Sequence, residues 1–413
     1  MKTPNERGKM NTTRVHRIAM AILLAMGMGA FALAGCSNGV QSASSQQSSS
    51  PSASASASSA AALSLENQPV SRDTSFGGVY INITIDDFNK LGFAYGDSVN
   101  VTFSNGYELK DIPYFNGYYA NVGDPLLVGY PGYPYVAAAF NYGDPLWGTA
   151  NLTEGDTATV TLAEAGKYRD IQEAFDITYT SVRSDYASDE QFANFRALSG
   201  GKMKEGIAYR SASPVDNEYG RAAYVEMLMA QVGIKFVLEL SDSDEEVAAF
   251  VAASVDQGVN VSYFTNLLDA DCVALLDLSA SYPSETYAQT LAGGLVKMSQ
   301  HDGPYLIHCI EGKDRTGFVC ALLEALCGAT YDEMLTDYMI TYDNYYGINK
   351  ESDPAKYDAI AHLHLDGMLR FLAGADKNTD LTTIDYTNHA RDYLRYGGMA
   401  DEQIDALVAT LTQ

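Results

Sequence analysis

Apolar positions between residues 79 and 162 recur every second residue. Val79-Tyr80-Ile81-Asn82-Ile83-Thr84, Ser98-Val99-Asn100-Val101-Thr102-Phe103 and Ala158-Thr159-Val160-Thr161-Leu162 all alternate. That is the period of a strand with one buried face. Gly96-Asp97, Asn105-Gly106 and Gly155-Asp156 punctuate the runs as turns. The pattern predicts a small all-β domain, a barrel or sandwich, over residues 76–165. Past Lys167 the period changes. Residues 219–232, 287–298 and 318–326 carry helical spacing, whereas 234–240, 272–276 and 305–307 are short apolar runs. Buried strands alternating with helices predict an α/β domain over residues 166–413. Its mostly parallel central sheet would be flanked by helices.

The N-terminal residues follow neither pattern. Lys2, Arg7, Lys9, Arg14 and Arg17 precede an apolar run over residues 18–33, closed by Leu33-Ala34-Gly35-Cys36. The run is shorter than the roughly 20 residues of a membrane-spanning helix. Basic flank, apolar run and small-residue site stand in the order of an export signal. The closing quartet resembles the lipobox of bacterial lipoproteins. That resemblance implies a signal peptide over residues 1–36, lipidation of Cys36 and a mature protein anchored to the extracytoplasmic face of a membrane. Ser, Ala and Gln then dominate residues 37–66, so residues 37–75 read as a disordered Ser/Ala-rich tether. A flexible chain of about thirty such residues reaches about 30 Å.

Composition narrows the partners. The formal net charge is -26, and residues 1–35 are themselves basic, so the remainder is more acidic still. Affinity for nucleic acid comes mainly from Lys and Arg on phosphates, and no nucleic-acid partner is expected. Cys320 and Cys327 lie seven apart on a predicted helix and read as core residues. His362 and His364 are two apart in a helical region, so they do not share a face as metal ligands would. No metal or other cofactor is called for.

The most informative stretch is Pro304-Tyr-Leu-Ile-His308-Cys309-Ile-Glu-Gly312-Lys313-Asp314-Arg315-Thr316-Gly317. It places a loop between a strand and a helix, and Cys309 and Arg315 bracket five residues. A thiolate that attacks a phosphate ester is favoured at a helix N-terminus beside a cation. Backbone N–H groups of Ile310, Glu311, Gly312, Lys313, Asp314 and Arg315 can curl round phosphate oxygens. Gly312 permits the backbone angles of that curl. Arg315 can grip two oxygens at once, which Lys cannot. Thr316 can donate to the departing thiolate, and His308 can orient the loop by hydrogen bonds.

These residues match the signature of the protein tyrosine phosphatase superfamily. The string from His308 to Gly317 is most similar to the atypical bacterial tyrosine/lipid phosphatases, whose loop carries Gly-Lys-Asp-Arg-Thr-Gly. The likeness extends to Phe195-Arg196, Tyr209-Arg210-Ser211-Ala212-Ser213, Asp337-Tyr338-Met339 and Tyr345-Tyr346. It implies a phosphocysteine mechanism with Cys309 as nucleophile and Arg315 as phosphate clamp. The β region, around Gly96-Asp97 and Asn116-Gly117-Tyr118-Tyr119, resembles the C-terminal barrel of SAM-dependent halogenases and hydroxide adenosyltransferases. That likeness does not reach their catalytic part, so no SAM chemistry follows, and the partner of the β domain stays open.

The general acid is less plain. The superfamily's Trp-Pro-Asp loop is absent in its usual form, since the only Trp, Trp147, lies in the β region. Asp314 is the first choice, because the similar bacterial enzymes carry Asp there. Asp242 and Asp244 are alternatives, since parallel-sheet sites gather at strand C-termini. With Glu245 and Glu246 they also read as a solvated acidic helix start favoured by the macrodipole. Phosphotyrosine on a protein is the leading substrate. A phosphoinositide or inositol phosphate is the enzymatic alternative; the phosphoinositide-hydrolysing branch of the superfamily carries Lys near Lys313, which equally reads as a balance for Asp314. A surface binding lipoprotein with a relic phosphatase domain is the non-enzymatic one.

Overall fold

A computed structural model describes residues 63–73, 77–143, 145–279 and 281–413. The export signal, Cys36 and residues 37–62 of the expected tether lie outside the described residues. The chain divides into two compact units. One holds the described residues up to Gly117 with Leu127–Ala139 and Pro145–Ala165; the other holds Tyr118–Leu126, Phe140–Asp144 and Gly166–Gln413.

Seven strands close into a barrel: β1 (Ser64–Arg72), β2 (Val79–Ile81), β3 (Ser98–Phe103), β4 (Glu108–Phe115), β5 (Pro125–Val128), β6 (Val136–Phe140) and β7 (Thr157–Glu164). Their order is β1-β2-β6-β5-β4-β3-β7. The alternation in sequence translates into an inward face: Val99, Val101 and Phe103 of β3 and Ala158 and Val160 of β7 are buried. Two short helices, Ile85–Lys90 and Leu146–Thr149, interrupt the strands. β1 corrects the expected tether boundary, because residues 64–72 pair with β7 on one side and β2 on the other. Its sequence hides this. Only Leu65 and Val70 are buried apolar side chains among Ser, Glu, Asn, Gln and Pro, so no strict alternation marks the strand. Two open neighbouring edges recruit it, and barrel closure leaves neither unpaired.

The second unit is built on a sheet of β8 (Arg196–Ala197), β9 (Ala208–Ser211), β10 (Phe236–Glu239), β11 (Val273–Leu275) and β12 (Tyr305–His308). The order is β11-β10-β12-β9-β8. The β11/β10, β10/β12 and β12/β9 pairs are parallel, and β8 runs antiparallel to β9. Continuous apolar runs suit strands covered on both faces. Phe236, Leu238, Tyr305 and Ile307 enter one core, with side chains of α3 (Glu285–Ser299), α4 (Asp314–Leu326) and α5 (Tyr331–Tyr346). The intervening Val237 and Leu306 enter a second core, with α1 (Ala222–Val232) and α2 (Asp244–Gln257). Cys320 and Cys327 are buried free thiols, as their spacing predicts. Among the described residues no helix is long and apolar enough to cross a membrane.

Candidate active site

Three parallel strands end at one level. In the register, His308 of β12 stands opposite Glu239 of β10 and Ser211 of β9. The Leu240 amide then donates to the His308 carbonyl at 3.0 Å. The next residues in each chain therefore meet at the C-terminal edge of the sheet: Cys309 in the middle, Asp242 on one side, Ser213 and Asp216 on the other. Parallel sheets gather ligands at that edge because the strands there give way to loops and helix N-termini.

Residues 309–313 form the loop, and α4 starts at Asp314. The loop's carbonyls are held outward. Ser213 N–H donates to the Ile310 carbonyl at 3.0 Å. Tyr345 O–H donates to the Glu311 carbonyl at 2.7 Å. The Gly312 carbonyl accepts from Arg210 Nη2 at 2.8 Å and Asn194 Nδ2 at 3.2 Å. In a trans peptide the following N–H points the opposite way. The amides of Glu311, Gly312 and Lys313 are thus turned to the other side of the loop, as an anion nest requires. Gly312 is obligatory in this shape: its φ is +67°, and a Cβ would overlap the Ser211 carbonyl oxygen.

The anchor of that loop is a buried ion network. Asp337 of α5 accepts from Arg196 Nε at 2.8 Å and pairs with Arg210. Arg196 also donates to Asn194 Oδ1 at 2.6 Å. Arg210 is 1 % exposed. Burial would raise the Asp337 pKa, but the two guanidinium groups outweigh it and hold the carboxyl below its usual range. Sequence reading gave Asn194, Arg210 and Asp337 no role. The strings Tyr209-Arg210 and Asp337-Tyr338 stood out as motif, but their partners lie more than a hundred residues apart.

The predicted site residues fall into distinct environments. Cys309 is 4 % exposed. Arg315 is held charged: burial opposes this, yet the neighbouring Cys309, Glu239, Asp242 and Tyr287 raise its pKa. One Arg315 nitrogen donates to the Leu278 carbonyl at 3.0 Å. Thr316 Oγ1 is buried without a partner. His308 is buried and its pKa falls to about 3, chiefly through burial, so the ring is neutral. A hydrogen bond with the Cys309 backbone opposes that fall, and Arg315 adds to it. The His308 carbonyl accepts from the Leu240 amide. Lys313 is engaged, with Nζ 3.4 Å from Glu311 and 3.8 Å from Asp314. The Glu311 carboxylate also accepts from Tyr179 O–H. Ile310 is half-buried.

The three candidate acids differ sharply. Asp314 opens α4 with its side chain 53 % exposed. Asp244 and Glu245 are exposed in the first turn of α2, behind the Ser243–Glu246 capping box. The solvated-helix-start reading therefore fits these two. It does not fit Asp242, which is 5 % exposed with one carboxylate oxygen lacking a partner.

Similarity to known proteins agrees with this geometry. A tyrosine-protein phosphatase of Nostoc commune is 29 % identical over 136 residues, 30 % of this chain and 46 % of that protein. A putative tyrosine-protein phosphatase of Cupriavidus necator is 26 % identical over 198 residues, 44 % of this chain and 69 % of that one. The triple specificity protein phosphatase PtpB of Mycobacterium tuberculosis is 34 % identical over 76 residues, 18 % of this chain and 28 % of that protein. The chain thus spans about half the length of the Nostoc relative. Among solved structures, P. aeruginosa TpbA aligns over 58 % of this chain and 99 % of its own at 18 % identity. Its TM-score is 0.21, too low to bear on the fold. The family model described as the tyrosine phosphatase family matches residues 190–413. That span is over half of the chain and contains the loop, its anchors and every candidate acid, and the protein belongs to the tyrosine phosphatase family.

Proposed function

We propose that the protein is a cysteine-dependent phosphomonoester hydrolase acting on phosphotyrosine through a phosphocysteine intermediate. The observation that carries this reading is the loop at the end of β12. Cys309 sits at the mouth of a peptide curl whose carbonyls are tied outward, with a charged Arg315 six residues on. The sulfur of Cys309 attacks phosphorus while the leaving oxygen takes a proton. Water then attacks phosphorus, the P–S bond breaks and phosphate leaves. Arg315 and the loop amides hold the equatorial oxygens throughout. Thr316 Oγ1 is free to donate to the sulfur as it departs.

Two features favour an aromatic ester. Tyr142, in the segment Phe140–Asp144 of the second unit, has its ring centroid 5.2 Å from that of Tyr282. Although Tyr142 is 37 % exposed, desolvation of its hydroxyl and the nearby Asp314 push its pKa up to about 12, against the pull of Arg315. Aromatic rings therefore stand beside the clamp, where a phenyl leaving group would lie. Lys313 is occupied by Glu311 and Asp314, which leaves it poorly placed for the extra phosphates of a phosphoinositide. We propose further that Cys36 is lipidated after export and that the enzyme acts on the outer face of a membrane, as the basic flank, apolar run and Leu33-Ala34-Gly35-Cys36 suggest.

Cys309→Ser tests the core of the proposal. Turnover of phosphotyrosine peptides should vanish while phosphate-ester binding by calorimetry persists, because the amides and Arg315 remain. Hydrolysis at the wild-type rate would show that another group is the nucleophile. A phosphoinositide panel run beside the peptides separates the two substrate classes.

A further inference from the structure

Resting on the phosphocysteine reading, we propose that Asp242 is the general acid and base of this site and that the buried Glu239 positions it. The geometry comes from the sheet. Glu239 is the last residue of β10, opposite His308 in the register, so the turn that follows runs alongside Cys309. That turn is drawn tight round the Glu239 carboxylate, which accepts from Ser241 N–H at 2.7 Å, Ser241 Oγ at 2.5 Å and Asp242 N–H at 2.7 Å. Ser243 then caps α2 and forbids the turn to slide. Between the two clamps Asp242 has no freedom to swing into water. One of its carboxylate oxygens is buried without a partner, although the amides of Ser241, Asp242 and Ser243 are all bonded. A buried acceptor left unpaired is costly unless it carries a proton or meets a ligand. The charged groups that face Asp242 are Asp216 from the turn after β9, Arg315 from α4, Glu246 from α2 and Glu239 below it.

Burial, reinforced by Asp216 and opposed by Arg315, lifts the Asp242 pKa to about 7. Burial and Asp242 together raise that of Glu239 as well. The pair holds a proton that a solvated carboxylate would have lost. Asp314 differs on each count: it is exposed and lies within 3.8 Å of the Lys313 ammonium. The chemistry balances with Asp242 alone. As the Cys309 sulfur bonds to phosphorus, the P–O bond breaks and the Asp242 proton passes to the leaving oxygen. The Asp242 carboxylate then takes a proton from the attacking water as the P–S bond breaks, restoring thiolate and acid.

The test uses the full chain with Asp242→Asn, Asp314→Asn, Asp277→Asn and Cys309→Ser, each assayed on phenyl phosphate and on 4-nitrophenyl phosphate. Asp277 is included because it precedes Leu278, whose carbonyl meets Arg315. A good leaving group departs without a proton, so an acid matters most for the poor one. Asp242→Asn should lose about 10²–10⁴-fold on phenyl phosphate and far less on the nitrophenyl ester. The fall of kcat/KM above neutral pH should disappear with it. Glu239→Gln should keep most of the rate at its optimum but move that basic limb. Calorimetric binding of vanadate and an unchanged unfolding midpoint would show that the Asp242 variant is folded. Leaving-group sensitivity in Asp314→Asn or Asp277→Asn in place of Asp242→Asn would overturn the assignment. If Cys309→Ser alone remains fully active, the phosphocysteine reading fails instead.

Discussion

Single residues at this site are constrained by geometry that other side chains cannot supply. Gly312 shows it most directly, because its positive φ and the Ser211 carbonyl against its Cα exclude any Cβ. Gly312→Ala should leave the unit folded by circular dichroism, since only one loop must shift. A non-glycine residue in the left-handed region costs about 1–2 kcal/mol, and relief of the overlap would move the amides off the phosphate oxygens. Mispositioned oxyanion donors cost on the order of 10²–10³ in rate. The same loss is expected here in kcat for 4-nitrophenyl phosphate, and unchanged kcat would mean that the loop tolerates the displacement. His308 is constrained by burial. Its ring is buried and neutral, and its carbonyl accepts from the Leu240 amide at 3.0 Å.

At the scale of elements, β8, β9 and α5 fasten the phosphate loop through one buried carboxylate. Asp337 serves both Arg196 and Arg210, and Arg210 passes the restraint to Gly312. Asp337→Asn would leave Arg210 buried and unpaired. Breaking a buried pair by removing one partner typically costs about 3–5 kcal/mol, and denaturant unfolding of the second unit should register that loss. The pH dependence has a definite sign. Because the folded-state pKa of Asp337 lies below its unfolded value, its stabilisation is fully present above ordinary carboxylate pH. It is lost as pH falls through the folded value. Wild type should therefore lose stability on acidification more steeply than Asp337→Asn. Parallel slopes would mean that the carboxylate is not the titrating support.

Over the whole molecule acidic residues outnumber basic ones two to one. With a net charge of -26, its long-range field repels anionic substrates. In the proposed mechanism recognition therefore rests on short-range contacts at Arg315 and the loop amides. The proposed lipid on Cys36 would confine the enzyme to a surface. Cys36→Ser should shift the protein from the membrane fraction to the soluble one and abolish labelling by radioactive fatty acid. Full retention on membranes would mean that the apolar run of residues 18–33 anchors the chain itself.

How much of this was legible in the sequence follows from the range of the interactions involved. The loop after β12 could be read because its pattern is local: Cys309, Gly312, Arg315 and the start of α4 lie within ten consecutive residues. The strands β3, β10 and β12 could be read because burial repeats along the chain with a fixed period. β1 could not, since its place depends on two edges elsewhere in the barrel rather than on its own apolar residues. The ion network round Arg210 was likewise hidden, because Asn194, Arg210, Gly312 and Asp337 meet only when β9, β12 and α5 pack. The same holds for the carboxylates. Asp242, Asp244 and Asp314 are alike as letters, and the sequence by itself offered all three as candidate acids without separating them. Burial, register and the field of Arg315 separate them, and these are properties of the folded surroundings that no local spacing encodes.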